Sequence, residues 1–77
     1  MNKSRRARID DLIQKIEDIT ADIDLVREDE ETAYENLPES LQESERGQLM
    51  YEAIDYLESA MSSIEEVTDY LNSAKGE

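Results

Sequence analysis

The chain contains no cysteine and no histidine, and these two absences exclude several kinds of structure and chemistry. Without cysteine no disulfide can stabilise a small fold, and without either residue the usual ligands of zinc, copper and haem iron are missing. Nucleophilic sets of the Ser-His-Asp or Cys-His kind are excluded for the same reason. The sequence therefore predicts a protein without metal or cofactor, whose stability comes from the packing of its secondary structure.

Glycine and proline are scarce, with two glycines and one proline in 77 residues. A Gly-rich phosphate loop with a Walker-type lysine is therefore excluded. The acidic run 22–31 has the charge of a calcium loop, but it lacks the glycine that an EF-hand needs and continues a helical pattern. Ferritin-like two-metal sites need Glu-x-x-His motifs, which a chain without histidine cannot supply. We do not expect an enzyme.

Long hydrophobic runs are also absent, since no apolar stretch approaches the ~18 residues that a membrane span requires. The basic start, residues 1–8, is not followed by the apolar region of a signal peptide. We therefore expect an intracellular protein without a membrane partner. A chain of 77 residues forms one domain at most. Its core rarely contributes more than ~3–5 kcal/mol, so an oligomer is expected.

What the chain has in abundance is negative charge, with 21 acidic and 8 basic residues and a net charge of −13. Half of the basic residues lie in the basic start, so the remainder is more acidic still. Affinity for nucleic-acid phosphates depends on Lys and Arg, so direct nucleic-acid binding is not expected. Basic protein surfaces are the natural partners of such a chain. The apolar residues are regularly spaced rather than depleted, which indicates folding rather than disorder.

The first long helical pattern is a heptad seam, in which apolar residues alternate at intervals of three and four. Glu30 stands where an apolar residue is expected. It either fixes the register of packing or is solvated where the bundle opens, and we favour the second. The basic start is expected to be frayed, either pairing with acidic residues at the end of the second helix or reaching a partner as a basic arm. The seam comprises Ile9, Leu12, Ile16, Ile19, Ile23, Val26, Glu30, Ala33 and Leu37, and Ile13 and Tyr34 widen it at its ends.

Pro38 is expected to end the first helix and to begin a short helical turn that reverses the chain. Leu37 and Leu41 should close the apolar core at this end. Ser44 is the predicted N-cap of the second long helix. Gly47 lies either in the first turn of that helix or at the C-terminal cap of the short one. The predicted division is a basic start (1–8), helix 1 (9–36), a turn with a short helix (37–44), helix 2 (45–74) and a frayed end (75–77).

The apolar face of predicted helix 2 is wider than one seam, and its recurring alanines allow a close approach of backbones. One seam suffices for pairing with helix 1, so the surplus predicts a second packing partner. The sequence therefore predicts an all-α antiparallel two-helix hairpin that dimerises into a four-helix bundle, with helix 2 the more buried. The predicted dimer interface comprises Met50, Ala53, Ile54, Leu57, Ala60, Met61, Ile64, Val67 and Leu71.

Acidic residues recur every seven positions along helix 1 and form a row, and others follow helix 2. Spread along a helix pair of ~45 Å, the negative charge of these residues approaches the linear charge density of duplex DNA, which carries one charge per ~1.7 Å. The row is either a surface that mimics nucleic acid or a solvated helix face. The predicted partner-binding surface comprises Asp10, Glu17, Asp24, Glu28, Asp29, Glu31, Glu35, Glu39, Glu43, Glu52, Asp55, Glu58, Glu65, Glu66 and Asp69.

The segment 36–47, NLPESLQESERG, followed by 52–58 and 64–67, resembles small acidic helical-hairpin proteins encoded by phages and mobile elements of Gram-positive bacteria. The resemblance covers the turn and most of helix 2, and the turn is its more specific part. It implies a context, the cytoplasm of a bacterial host, rather than an activity that can be transferred residue by residue. Small acidic phage proteins frequently bind and block host proteins, including restriction, CRISPR and repair enzymes.

Two functions follow as hypotheses. In the first, the protein is a non-enzymatic inhibitor that binds a host nucleic-acid-binding or defence protein through its acidic surface, by mimicry of nucleic acid. Contact would begin at the strongly negative turn end, and binding would weaken as salt rises. In the second, the chain is a structural coiled-coil assembly or adaptor module that acts through the apolar face of helix 2, and the acidic residues only keep it solvated.

Overall fold

A computed structural model describes residues 1–76, which form three helices and no strand. The helices are α1 (Lys3–Glu35), α2 (Glu39–Gln42) and α3 (Glu45–Lys75). The long helices α1 and α3 lie side by side and antiparallel, and α2 occupies the reversal between them. The resulting rod measures 58 × 15 × 11 Å. The prediction of an all-α chain with two long helices and a short helix between them is confirmed.

The basic start is helical, so the prediction that it is frayed is wrong. α1 begins six residues before its predicted start, and the side chain of Asn2 caps it by accepting the N–H of Arg5 at 2.9 Å. At the same end of the hairpin, Nε of Arg6 donates to the carbonyl of Lys75 at 3.1 Å. Lys75 in turn pairs with Asp10 at 2.6 Å. The cap and these contacts across the helix pair offset the unfavourable position of positive charge at a helix N-terminus.

At the reversal, Ser44 is the N-cap of α3, as predicted, and its hydroxyl accepts the N–H of Gly47 at 3.4 Å. Gly47 lies in the first turn of α3 and is buried, and its φ is not positive. Left-handed backbone is therefore not the reason for glycine here. A Cβ at this position would lie 2.1 Å from the carbonyl oxygen of Gln42. Glycine is required because α2 and α3 approach each other too closely for any side chain.

The apolar core does not close at the turn in the predicted way. Leu37 is half-buried, but Leu41 keeps 44% of its surface exposed. The inward position of α2 is taken by Gln42 instead, whose Nε2 donates to the carbonyls of Leu37 at 3.1 Å and Tyr34 at 3.3 Å. Gln42 therefore gives a carbonyl in the last turn of α1 and another just after that helix a hydrogen-bond donor, which a leucine at this position cannot supply.

The predicted seam of α1 is correct at every second position and wrong at the others. Ile9, Ile16 and Ile23 are half-buried, whereas the intervening Leu12, Ile19 and Val26 are 48, 53 and 56% exposed. Between and beyond these isoleucines, the residue that follows each exposed seam position is half-buried. These half-buried residues are Ile13, Thr20, Arg27 and Tyr34. α1 is therefore rotated about its axis relative to the prediction.

Two polar side chains explain why this rotation is tolerated. The hydroxyl of Thr20 donates to the carbonyl of Ile16 in its own helix at 2.8 Å. Arg27 is held by ion pairs with neighbouring carboxylates and keeps 20% of its side chain exposed. Both polar groups therefore find partners within α1, and their positions can face α3 without leaving an unsatisfied donor.

Candidate interaction surfaces

The carboxylates of α1 and α3 meet on one side of the hairpin. Glu17 of α1 and Glu65 of α3 line the same groove between the helices, together with Thr20 and Ser62. Positions seven residues apart on a packed helix share a side, so the heptad relatives of these residues continue the surface in both directions. We call this side the acidic face, and it comprises Asp10, Glu17, Asp24, Glu31, Glu35, Asp55, Glu58, Glu65 and Asp69.

The acidic face ends near the turn in a pocket that combines charge with aromatic rings. The rings of Tyr34 and Tyr51 have centroids 6.1 Å apart and are tilted by 57°. Tyr51 is 56% exposed, so its ring is accessible. Carboxylates beside aromatic faces suit the guanidinium of an arginine or the ammonium of a lysine. The acidic-aromatic pocket comprises Glu31, Tyr34, Glu35, Tyr51, Ile54, Asp55 and Glu58.

Basic residues within the chain occupy much of the predicted acidic row. Arg27 pairs with Glu31 at 2.6 Å and Asp24 at 3.0 Å. The hydrogen bond to Asp24 is the main cause that raises the pKa of Arg27 above its usual value, so it stays charged. Asp10 pairs with Lys75 at the other end, which leaves Glu17 as the member of the row without an ion pair among the residues described. The spacing of Arg27, three after one acid and four before another, is the signal that predicts this neutralisation.

The charge density of one hairpin is lower than expected. A net charge of −13 along a rod of 58 Å corresponds to about one charge per 4.5 Å, against ~1.7 Å in duplex DNA. Two hairpins side by side would reach about one charge per 2.2 Å. A single copy therefore falls well short of a duplex, and resemblance to one needs two copies.

The predicted partner-binding carboxylates do not share one face. Asp24 and Glu31 are half-buried and the others are exposed. Those that the grooves between the helices do not include lie at the edge of the acidic face, as Glu28 does seven residues before Glu35, or elsewhere on the long helices and the turn. This second group comprises Glu28, Asp29, Glu39, Glu43, Glu52 and Glu66.

The opposite side of the hairpin carries an uncovered apolar surface. Near the turn, Glu30 of α1 lines a groove with Leu49 and Ala53 of α3, so these positions lie on one side. The same side continues along both helices at heptad spacing, and Val67 keeps 46% of its surface exposed. We call it the apolar face, and it comprises Leu12, Ile19 and Val26 of α1 with Ala53, Ala60 and Val67 of α3.

The predicted dimer interface is divided by the structure between two roles. Of its members, those that face α1 and hold the hairpin together are Met50, Ile54, Leu57, Met61, Ile64 and Leu71, all half-buried or buried. Only Ala53, Ala60 and Val67 lie on the apolar face. Sequence reasoning missed the contribution of α1 to this face, although adjacent apolar residues at 12 and 13 indicate a stripe wider than one seam.

Neither a metal-binding cluster nor a membrane-spanning helix is found in residues 1–76. In the chain up to Gly76, no three acidic side chains converge in a group that could hold a metal ion. No helix in that part of the chain is both long and apolar enough to cross a membrane. No protein-family model matches the sequence, and comparisons with curated proteins and with solved structures find no significant match.

Proposed function

We propose that this protein is a non-enzymatic inhibitor that binds a basic surface of a host protein through its acidic face. The single observation that supports this most strongly is the acidic-aromatic pocket, where carboxylates from α1 and α3 surround two tyrosine rings. Such a pocket offers a Lys or Arg side chain both ion pairs and an aromatic face. The pocket lies towards the turn end, where the sequence predicted that contact begins.

The proposed target is a bacterial nucleic-acid-binding or defence protein in the host cytoplasm. Proteins that bind nucleic acid align Lys and Arg along a groove, and an acidic rod of similar length is attracted to such a groove over long range. The resemblance of the turn and α3 to phage proteins supports the same choice of target. Once bound, the rod would exclude the nucleic acid, so inhibition would be stoichiometric rather than catalytic.

The experiment is affinity capture from a bacterial host lysate, followed by binding measurements with the captured protein at low and high salt. Binding through the acidic face should weaken by at least about tenfold between 50 and 500 mM salt, because this range shortens the screening length below ~5 Å. An affinity that does not change over this range of salt concentration would contradict the proposal.

Paired charge reversals locate the contact. In the first variant, Asp55→Lys and Glu58→Lys reverse two carboxylates of the acidic-aromatic pocket. In the matched control, Asp29→Lys and Glu66→Lys make the same change of net charge outside the acidic face. We expect the pocket variant to lose at least about tenfold in affinity and the control about threefold or less. Equal losses would mean that net charge alone drives binding and that the pocket has no special role.

A second function, an assembly or adaptor module, is favoured by the exposed apolar face. Polar substitutions at Leu57 and Ile64 do not test it, because these side chains pack against α1 and their loss would unfold the hairpin. Ile19→Asp is the informative change, since Ile19 is 53% exposed. Loss of the captured partner in Ile19→Asp, with retention in the pocket variant, would favour the adaptor over the inhibitor.

A further inference from the structure

The hairpin leaves more surface uncovered than a folded monomer of its mass normally does. Its accessible area is 5868 Å² at 8.9 kDa, whereas a monomer of this mass is expected to expose about 4,800 Å². The excess of about 1,000 Å² is similar to the ~800 Å² that each partner buries in a standard protein interface. One further copy of suitable shape would therefore bring the chain to an ordinary ratio of surface to mass.

The core of the isolated hairpin is correspondingly thin. Among the apolar residues described, Ile54 alone is buried, with 9% of its surface exposed. The three large side chains of α1 on the apolar face each keep about half of their surface exposed. Two alanines of α3 lie beside them, and alanines permit two helices to approach closely. Covering this side would turn the exposed face into a core between four helices.

The apolar face has the symmetry that a second copy requires. Ile19 is the middle residue of α1, sixteen residues from each end, and Ala60 is the middle residue of α3, fifteen from each end. Each row extends seven residues in both directions, to Leu12 and Val26 on α1. The corresponding positions on α3 are Ala53 and Val67. A twofold axis that crosses both helices at their midpoints therefore maps the apolar face onto itself.

Charge selects the orientation of the second copy. The basic start places Lys3, Arg5 and Arg8 at one end of the rod. The turn end carries the acidic run 28–31 and the acidic residues that follow it up to the start of α3. An antiparallel pair brings each basic start beside the acidic turn of the other copy, whereas a parallel pair brings like charges together.

We infer that the protein is a homodimer in which the apolar faces of two antiparallel hairpins pack against each other around a twofold axis at Ile19 and Ala60. α1 packs on α1 of the second copy, and α3 packs on α3. Leu12 of one copy lies opposite Val26 of the other, and Ala53 lies opposite Val67. Both acidic faces remain outside, so the dimer does not depend on the proposed inhibitory function.

Introduced cysteines test the geometry, because the natural chain has none. Ala60→Cys lies on the proposed axis, so two copies of it should join readily under mild oxidation. Ala53→Cys and Val67→Cys should not join to themselves but should join to each other when mixed. Ser62→Cys, on the side of the acidic groove, is the control that should stay unlinked. If Ala60→Cys fails to join while the parent chain is dimeric, the antiparallel arrangement is overturned.

Sedimentation equilibrium at micromolar concentration tests the dimer itself. The parent chain should have twice the mass of 8.9 kDa. Ile19→Asp should be monomeric, whereas Leu25→Asp should remain dimeric. Leu25 is the matched control because its exposed fraction of 59% is close to that of Ile19, whereas its position six residues later turns it about 120° away from Ile19 around the helix. A parent chain that is monomeric, or that buries this face only against another protein, would overturn the inference, as would equal effects of the two aspartates.

Discussion

Replacing Gly47 by alanine should destabilise the hairpin, although alanine normally strengthens a helix. Gly47 lies in the first turn of α3, where the end of α2 passes directly over it. An added Cβ would lie 2.1 Å from the carbonyl oxygen of Gln42 and 2.6 Å from that of Leu41. Both obstacles are backbone atoms, so no change of rotamer relieves the overlap. The junction between α2 and α3 must move instead.

The expected magnitude follows from three opposing contributions. Exchange of glycine for alanine inside a helix favours the folded state by ~1 kcal/mol. Forcing a group into a closely packed position costs ~1–3 kcal/mol. Movement of the junction also weakens the Ser44 cap, which is worth ~1 kcal/mol. The net destabilisation is therefore ~1–3 kcal/mol, and each 1 kcal/mol lowers Tm by ~4–8 °C in a chain of this size.

Thermal unfolding followed by circular dichroism at one fixed protein concentration measures this effect, because Tm of an associating chain depends on concentration. Gly76→Ala is the matched control. Its Cβ would meet the carbonyl oxygen of Ser73 at 3.3 Å, and its φ is −69°, so alanine fits there with small adjustment. We expect the control to stay close to the parent Tm. A Gly47→Ala protein as stable as the parent would refute the argument from close approach.

Three further changes test the helix ends and the charge network. Ser44→Ala should lower stability by ~1 kcal/mol in urea unfolding, whereas Ser40→Ala, which removes no cap of a long helix, should change little. Arg27→Gln leaves three carboxylates without their cation, so Tm should fall in low salt and recover in 1 M salt, and a loss independent of salt would contradict this. Asn2→Ala should speed amide exchange at Arg5, and unchanged exchange would mean that the cap does not hold the basic start.

The extent of the helices was largely predictable because it depends on local chemistry. Pro38 ends α1 and Ser44 begins α3 through contacts within a few residues of themselves, and such contacts can be recognised from sequence. The start of α1 was the exception. The contact of Arg6 with Lys75 joins residues 69 positions apart, and no local rule anticipates it.

The candidate surfaces were predictable in composition but not in position. Acidic spacing indicated a charged row along α1, but the structure shows that Arg27 neutralises part of this row. Apolar spacing indicated a surplus for a second partner, but it placed that surplus on α3 alone. The structure divides it between α3 and the exposed residues Ile19 and Val26 of α1.

The sequence by itself determined that this chain is an acidic helical hairpin, because caps, a single proline and heptad spacing act over one or two turns. Only the tertiary structure decided the rotation of α1 against α3, and with it which residues are core and which are surface. Leu12 and Ile13 are both apolar, so hydrophobicity does not choose between them. The choice depends on whether Thr20 and Arg27 can face α3 with their polar groups satisfied, which is a property of the packed pair.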